Sequence, residues 1–442
     1  MNHPARPISS RRLGTLACRV IALALAGPAP AFALQPLSEF IAGAARSNTD
    51  RKEALLSVAQ QEREALGALG RSVPALGVRG IYTRNQSETK IDLAFPGQPP
   101  ISYLIQPLNQ FDGFAQLDVP LVDLAAWARI RAANDAVDAA RLNAEATFIE
   151  VQKAVARSYY QLIGARALRD SAQRTLAAAE QSLALTRERQ EGGVATQLDV
   201  FRASAEVERA RGNIADADLT AELARRALWT LTGVRADDAP PQAAGDLSEE
   251  APLEVWEAGG REAPAVRAAA AQRKGAEATA HAARFSLVPA LSGTAQEHFT
   301  NAPGFVARGL TYTFNATLNW RLDLTTWANM RSQEISAEIS RVREDRARQA
   351  AMDRVHEAWQ RVRAGIAKSR SARAGSESAQ AAVARARERY AEGAGTHLEL
   401  VQAERDAFGA EVSRIQADAD LSYARAVLRL EAGRPLGAEA DR

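Results

Sequence analysis

The sequence predicts a mainly α-helical chain with a small β part, built as a tandem repeat in which each copy carries a β-hairpin and a long αα-hairpin. Two observations predict this fold class. The two halves of the chain share residues at a constant offset of 200 positions. Each half also contains a proline-free stretch of about 65 residues that is rich in Ala, Glu, Arg, Gln and Leu, the side chains that favour helices.

Residues 1–33 have the pattern of a secretory signal peptide. Arginines precede a short apolar run at 20–26, and an Ala-Phe-Ala motif at 31–33 predicts cleavage after Ala33. Removal of this segment takes away four basic and no acidic side chains, which changes the formal net charge from +2 to −2. It also removes Cys18, the single cysteine, so the exported chain contains no thiol.

Composition and charge exclude several classes of protein. With 55 basic and 53 acidic side chains, the chain is not the polybasic type that neutralises nucleic acid, and one cysteine does not make a disulfide scaffold or a multi-cysteine metal module. Beyond residue 33 no apolar run approaches the 18 to 20 residues of a transmembrane helix, which excludes a helical membrane protein. A β-barrel stays compatible, because its strands need only about ten residues of alternating polarity.

The internal repeat divides the chain. Asp123–Ala128 (DLAAWA) recurs as Asp323–Ala328 (DLTTWA), and the same offset relates further residues: Arg187 and Arg387, Gly193 and Gly393, Thr196 and Thr396, Leu228 and Leu428, Gly233 and Gly433. The Val-Pro-Ala-Leu motif at 73–76 recurs at 288–291, an offset of 215, so the first copy holds fifteen extra residues before Asp123.

We therefore predict a first structural repeat over 34–233, a second over 253–433 and a tail at 434–442. The intervening 234–252 contains three prolines, a glycine and five acidic residues, a composition typical of a linker.

Each repeat begins with two strands, predicted at about 75–85 and 111–122 in the first copy and at about 289–300 and 310–322 in the second. The last is the clearest, since apolar and polar residues alternate strictly from Leu310 to Leu322. Alternation alone favours an ordinary amphipathic sheet over a soluble core.

A helical hairpin follows the strands, at about 127–233 in the first copy and 327–433 in the second. Its first arm has apolar residues spaced by three and four, as in coiled-coil packing, and at 1.5 Å per residue it is roughly 100 Å long. Glycines then break the helix, and Thr196 or Thr396 can cap the returning arm.

Four short strands cannot close a barrel, because membrane barrels begin at about eight strands. Either the sheet packs on something else, or several chains share one barrel; two chains supply eight strands and three supply twelve. An exported, repeat-built, oligomeric tube satisfies the second alternative.

At this point the residues resemble the TolC family of outer-membrane efflux proteins. The resemblance rests on the doubled order of the repeat, the strand exit Val119–Asp123, the Ser-Tyr-Tyr stretch at 158–160 and the two tip sequences after Arg389 and Gly193. It implies a homotrimer with a twelve-stranded barrel in the outer membrane of a Gram-negative-type cell and an α-helical tunnel through the periplasm. It further implies a periplasmic adaptor (membrane fusion) protein and an inner-membrane transporter as partners.

The resemblance also carries over to residues at the second tip. It implies a periplasmic aperture at Glu399 and Gln402, where the family has two acidic positions, and a tip latch between Tyr390 and Asp199. Gly395 stands where some members have an arginine, which weakens any latch. The alternative is that Glu399 and Asp199 are solvated first-turn acids favoured by the helix dipole.

Two further groups have both a structural and a functional interpretation. The tip residues have glycines suited to tight reversal and threonines suited to capping, and the resemblance implies that they contact the adaptor: Gly193, Thr196, Gly393, Gly395 and Thr396. Trp127 and Trp327 lie where strand meets helix, as interface aromatics anchoring a barrel or as packing residues.

No catalytic, cofactor or metal motif accompanies this pattern. The histidines after residue 33 are widely spread, and no P-loop, G-x-S-x-G or zinc-protease pair is present, so we expect neither an enzyme nor a cofactor nor a nucleic-acid partner. The sequence thus predicts a passive outer-membrane conduit for efflux or secretion. Its alternative is a soluble periplasmic coiled-coil scaffold or adaptor, which would bury the apolar strand face under its own chain.

Overall fold

The computed structural model of the protein describes residues 34–237, 246–306, 308–434 and 436. The predicted signal peptide and most of the tail lie outside these residues, as does part of the predicted linker. The mainly α-helical architecture with a small β part is confirmed. The helices are α1 Leu37–Ser47, α2 Thr49–Gly70, α3 Leu124–Glu191, α4 Gln197–Thr232, α5 Leu253–Gly260, α6 Pro264–Phe285, α7 Leu324–Ala391 and α8 His397–Glu431. The strands are β1 Ala75–Arg84, β2 Thr89–Leu93, β3 Ile101–Gln106, β4 Asn109–Val122, β5 Ala290–Thr300 and β6 Leu310–Asn319.

Four strands form one antiparallel sheet in the order β1-β4-β5-β6. Its two edges, β1 and β6, have no further strand beside them within the described residues. β6 ends at Asn319, a little before the predicted position 322, and the Trp320 indole N–H beyond it donates to the Leu287 carbonyl at 3.1 Å.

In the segment that connects β1 to β4 along the chain, β2 and β3 form a separate two-stranded ribbon. These two strands are not predicted from the sequence. They lie in the part of the first repeat that holds the fifteen extra residues, so no second copy reveals their pattern. The Phe-Pro-Gly and Pro-Pro segments around them indicate turns instead.

One face of the four-stranded sheet is apolar and is not covered by the rest of the chain. Leu76 and Val78 on β1 are 73% and 80% exposed, and Tyr312, Phe314 and Leu318 on β6 are 77%, 76% and 64% exposed. An apolar sheet face of this kind requires another partner, because a soluble sheet buries its apolar side. The interpretation as a sheet over the chain's own core therefore does not hold.

The order of the strands continues into the helices. α2 leads into β1, β4 into α3, α6 into β5, and β6 into α7, while α3 packs on both α2 and α6, and α6 packs on α7. Below this row, α4 lies on α3, α3 on α8, and α8 on α7. The result is a sheet that continues as a curved wall of helices.

α3 and α7 each contain 68 residues, so each extends about 100 Å at 1.5 Å per residue. Asp123 and Asp323 accept hydrogen bonds from the backbone N–H groups of Ala126 and Thr326 at 2.8 and 2.6 Å, which begins the two helices immediately after the strands. Across the described residues no helix combines the length and apolar character that crossing a bilayer requires.

Two apolar clusters hold the helices together near the middle of the wall. In the first, Phe40 of α1 packs with Val155 and Leu162 of α3 and Leu228 of α4. In the second, the buried members come from α5, α7, α8 and the residue after α8: Trp256, Val355, Ala358, Val362, Ile366, Leu421, Leu428 and Ala432. The short helices α1 and α5 thus act as wedges that fill the space beside the long ones.

The α5 wedge predicts a sharp difference between two glycines. A Cβ added at Gly259 would lie 2.2 Å from the carbonyl oxygen of Ala432, whereas one added at Gly375 in α7 meets nothing within 4 Å. We expect Gly259→Ala to lower the free energy of unfolding by about 1–3 kcal/mol, because the backbone must move. Gly375→Ala should raise it by about 0.5–1 kcal/mol. Equilibrium unfolding by urea measures both free energies, and equal effects would contradict the close packing of α5 against Ala432.

Candidate functional site

The two helical tips, residues 191–197 and 391–397, reverse the chain with the same turn. Gly193 and Gly393 have φ values of 75° and 76°, the left-handed region that favours glycine. In each tip two backbone N–H groups donate to one carbonyl: those of Val194 and Ala195 to Arg189 at 2.8 and 3.2 Å, and those of Ala394 and Gly395 to Arg389 at 2.9 Å. These glycines therefore have a geometric reason at both tips.

A capping box begins the returning helix at each tip. Thr196 and Asp199 exchange hydrogen bonds, with the Thr196 hydroxyl donating to the Asp199 carboxylate at 2.7 Å, and this bond lowers the pKa of Asp199. Thr396 accepts from the Glu399 N–H at 3.2 Å, and its own N–H donates to the Glu399 carboxylate at 3.4 Å. Both predicted acids are thus first-turn capping residues within the chain.

Arg189 joins the first hairpin to the second. Its guanidinium donates to the carbonyl oxygens of Tyr390 and Ala391 at 2.6 and 2.8 Å and lies 4.4 Å from the centre of the Tyr390 ring. Arg389, the equivalent residue in the second copy, instead donates to Ala394 in its own hairpin at 3.2 Å. We refer to the contacts of Arg189 with Tyr390 and Ala391 as the tip clamp.

Tyr390 and Asp199 do not form a hydrogen bond within one chain. The buried Tyr390 hydroxyl lies 3.4 Å from the Thr186 hydroxyl of α3, while the Asp199 carboxylate bonds to Thr196 and lies 3.8 Å from Arg202. The latch between Tyr390 and Asp199 stays a prediction, since within one chain the Asp199 carboxylate is engaged by the capping box. The Arg189 clamp, which joins the same two hairpins, was missed because its contacts are 201 and 202 residues apart in the sequence.

Gly395 has no space for a side chain without a shift of its neighbours. An added Cβ would lie 3.2 Å from Cβ of Arg389 and 3.3 Å from Oε2 of Glu399. Arg389 and Glu399 themselves approach to 3.9 Å. Arg389 and Glu399 thus fill the space beside Gly395.

Glu399 and Gln402 both point into solvent from the first two turns of α8. The Gln402 amide donates to Asp406 at 2.9 Å. Glu399, Gln402 and Asp406 are three and then four residues apart, so they form one stripe along the helix. Asp406 belongs with the candidate aperture, although only its spacing from Glu399 could have indicated it.

His397 is a second residue that sequence reasoning missed. It is 4% exposed, its ring lies edge-on to Tyr390 at 5.6 Å, and neither ring nitrogen has a hydrogen-bond partner. Burial lowers the pKa of His397. Within the described part of the chain no cluster of three or more potential ligands could hold a metal ion, and His397 is not part of one.

Above the tips, charged side chains line a cavity of about 470 Å³ between the two hairpins. Arg405 pairs with Glu206, which also lies 3.0 Å from Arg209, and Arg387 lies 3.0 Å from Glu404. Burial raises the pKa of Glu404, and Arg387 opposes this effect. The Arg405–Glu206 ion pair thus joins the two hairpins beside a cavity that apolar side chains such as Val383 and Phe408 also line.

Trp127 and Trp327 lie at the opposite end of the long helices, in the first turns of α3 and α7. They are 55% and 52% exposed, and the guanidinium of Arg331 lies 6.0 Å from the Trp327 ring. Both indole rings are therefore accessible from outside the chain at the junction between the sheet and the long helices.

Comparison with known proteins identifies the architecture. The family model for outer membrane efflux proteins matches residues 41–234 and 261–434. Among solved structures, the chain resembles CusC with a TM-score of 0.77 at 20% identity, covering 90% of this chain and 92% of CusC. VceC of Vibrio cholerae gives 0.76 at 15% identity, covering 91% and 97%. The open state of the Neisseria gonorrhoeae MtrE outer membrane channel gives 0.74 at 22% identity, covering 91% and 90%.

No curated protein sequence matches the chain significantly. The structural likenesses, all below 25% identity, show the shared fold, and the family match extends over both repeats.

The tip clamp predicts that two equivalent arginines differ in effect. Arg189→Ala removes two charge-assisted hydrogen bonds and a cation–π contact between the hairpins, so we expect about tenfold faster amide hydrogen exchange in the segment 388–396. Arg389→Ala, the matched control, removes contacts within one hairpin and should leave the exchange of 186–192 unchanged. If exchange in 388–396 of Arg189→Ala were as slow as exchange in 186–192 of Arg389→Ala, Arg189 would not hold the tips together.

Proposed function

Since the chain belongs to the outer membrane efflux protein family and is an outer-membrane efflux channel, we propose that it works as a homotrimer whose copies share one barrel and one tunnel. The single observation that carries this proposal is the uncovered apolar face of the β1-β4-β5-β6 sheet, which ends in two unpaired edges. A family of channel proteins, with no catalytic constellation predicted, points to passive conduction rather than to an enzyme.

The edges explain why one copy is not enough. β1 and β6 each present a row of unpaired backbone groups, and in a bilayer every such group must find a partner. Pairing β6 of one copy with β1 of the next satisfies both edges, and three copies of four strands give the twelve-stranded barrel predicted from the family resemblance. The apolar face then contacts outer-membrane lipid.

The exposed aromatics fit the same arrangement. Trp127 and Trp327 lie at the junction of sheet and helices, the depth at which an aromatic belt meets the membrane interface. The opposite face of β6 carries Thr313, Asn315 and Thr317, which suits a hydrated lumen.

The helical wall supports the periplasmic part of the proposal. At about 100 Å, α3 and α7 are more than three times as long as a bilayer's hydrocarbon core is thick, so their tips would lie deep in the periplasm. There the tip residues, exposed except for the half-buried Gly395, would contact a periplasmic adaptor (membrane fusion) protein that links the channel to an inner-membrane transporter: Gly193, Thr196, Gly393, Gly395 and Thr396. Because the conduit has no nucleotide motif, the transporter would supply the energy.

We place the periplasmic aperture at the stripe of Glu399, Gln402 and Asp406. A threefold axis beside α8 would gather three copies of each side chain, and rings of carboxylates favour cations and repel anions. Gln402 separates the two acidic levels, so the aperture would carry one acid ring at its entrance and a second about two helical turns further in. Within one chain, the tip clamp of Arg189 would hold the two hairpins together.

The alternative of a soluble periplasmic coiled-coil scaffold or adaptor is not favoured. Such a protein would bury its sheet under its own chain, but Phe314 and Leu318 are 76% and 64% exposed. The family match over both repeats also favours the channel.

The proposed orientation of β6 predicts that an introduced charge impairs membrane insertion on one face of the strand more than on the other. Leu318→Arg places a charge on the apolar face and should cost about 2–4 kcal/mol and impair insertion into the outer membrane. Thr317→Arg is the matched control on the opposite face, and its insertion should be close to that of the wild type. Folding into lipid vesicles measures both variants, and equal losses would count against the barrel.

The aperture predicts a charge-dependent conductance. In a planar bilayer we expect the purified channel to show small, cation-selective currents, and Glu399→Ala to increase the conductance and reduce the selectivity. Gln402→Ala shortens a neighbouring side chain without removing charge, so its selectivity should match that of the wild type. Unchanged selectivity in Glu399→Ala would remove the aperture but keep the channel. No conductance from a protein that stays soluble without detergent would support the scaffold.

A further inference from the structure

We propose that His397 makes the tip proton-responsive: the neutral ring favours the clamped arrangement of the two hairpins, and the protonated ring favours their separation. This inference rests on the proposed function only in assigning the separation to channel opening. The separation itself is a property of one chain.

The first support is the environment of the ring. His397 is 4% exposed, and neither Nδ1 nor Nε2 has a hydrogen-bond partner among the described residues. A neutral imidazole in such a place already loses two hydrogen bonds to water, and a charged one would lose far more solvation. The packed tip therefore selects the neutral ring.

The charged neighbours do not compensate an imidazolium. The titratable and charged groups around the ring are Tyr390 on α7, Asp199, Arg202 and Glu206 on α4, and, across the Tyr390 ring, Arg189 on α3. Asp199 is taken by the Thr196 capping box, and Glu206 by Arg209 and Arg405. Burial thus has the largest effect and lowers the pKa of His397, although Asp199 and Glu206 oppose it.

The second support comes from the other repeat. The equivalent position in the first tip is Gln197, which is exposed and accepts a hydrogen bond from Gln190 at 2.7 Å. Both tips have the same turn and the same capping box, so the turn itself does not need a histidine. His397 is buried because it packs on Tyr390, the residue whose carbonyl Arg189 holds.

This placement connects protonation to the tip clamp. An imidazolium would leave its site for solvent, and its departure would remove the ring that packs on the edge of Tyr390. Of the contacts described above for Tyr390, those with Arg189 would remain, and the hydroxyl contact of 3.4 Å with Thr186 is long for a hydrogen bond. Loss of one packed side chain would therefore loosen the contacts that join the hairpins.

The direction of the pH effect follows from proton linkage. In the separated state the ring is solvated and has the ordinary histidine pKa of about 6.5, whereas in the clamped state its pKa is lower. Above about pH 6.5 the ring is neutral in both states, so pH has no effect. As the pH falls below 6.5, the separated state binds the proton first and gains population, and the effect levels off below the lowered pKa. Each pKa unit between the states corresponds to a tenfold change in their ratio.

The decisive experiment measures the distance between the two tips of one chain at pH 7.5 and 5.5. Residues 34–442 contain no cysteine, so Val194→Cys and Ala394→Cys, both at exposed tip positions, accept one spin label each. Dilution with unlabelled protein leaves only the distance within one chain. We expect a longer distance to gain at least about threefold in population at pH 5.5.

Three variants make the result specific. His397→Leu removes the titrating ring, and His397→Gln copies the first repeat, so both should show no pH dependence. His356→Gln, which removes an exposed histidine from α7, is the matched control and should behave as the wild type. The proposal would be overturned if the tip-to-tip distance of the wild type did not change with pH. It would also be overturned if that distance changed as much in the two His397 variants as in the wild type.

Conductance of the same proteins separates this inference from the proposed function. Currents that rise as the pH falls in the wild type and in His356→Gln, but not in His397→Leu, support both. Normal currents combined with pH-independent distances overturn the role of His397 alone. Absent currents combined with a pH-dependent distance overturn the channel and leave the proton-responsive tip.

Discussion

The rest of this structure depends on one constraint, a sheet whose apolar face and edge strands have no partner in the described chain. The β1-β4-β5-β6 sheet has an apolar face that no part of the described chain covers and two edges without partners. Because strand order continues directly into the order of α2, α3, α6 and α7, any arrangement that closes the sheet also brings the helices into a closed wall. In the proposed trimer, membrane insertion and tunnel formation would thus be two consequences of one hydrogen-bonding requirement.

The two tips share the same local structure because the repeat is duplicated, but their arginines make different contacts. The turn and the capping box are the same at Thr196 and Thr396. Arg189, however, crosses to the other hairpin, whereas Arg389 stays in its own. The first tip thus supplies the donor of the clamp, and the second tip supplies its acceptors.

The repeat explains how much was predictable. Strands and hairpins followed from periodicity that occurs twice, and the capping threonines from spacing alone. The β2-β3 ribbon escaped because its segment has no second copy, and its prolines indicate turns. At the tips, the latch between Tyr390 and Asp199 stays a prediction; within one chain Asp199 bonds to Thr196, and the contact of Tyr390 with Thr186 depends on which hairpin faces which. Local patterns do not contain contacts between residues 200 positions apart, and for the same reason the burial of His397 was not foreseen.

The contacts between the helices differ between the middle of the wall and the region near the tips. The two buried clusters lie near the middle of the wall, around Leu162 and Val355, and fix the helices there. Towards the tips, the space between the hairpins is a cavity lined by charge pairs such as Arg387 and Glu404. Apolar residues such as Val383 and Phe408 also line this cavity, and Tyr390 and Leu400 are buried at the second tip, so separating the hairpins would expose apolar surface as well as break ion pairs. In the proposed channel, the state of the gate would therefore depend on the tip clamp together with this local packing.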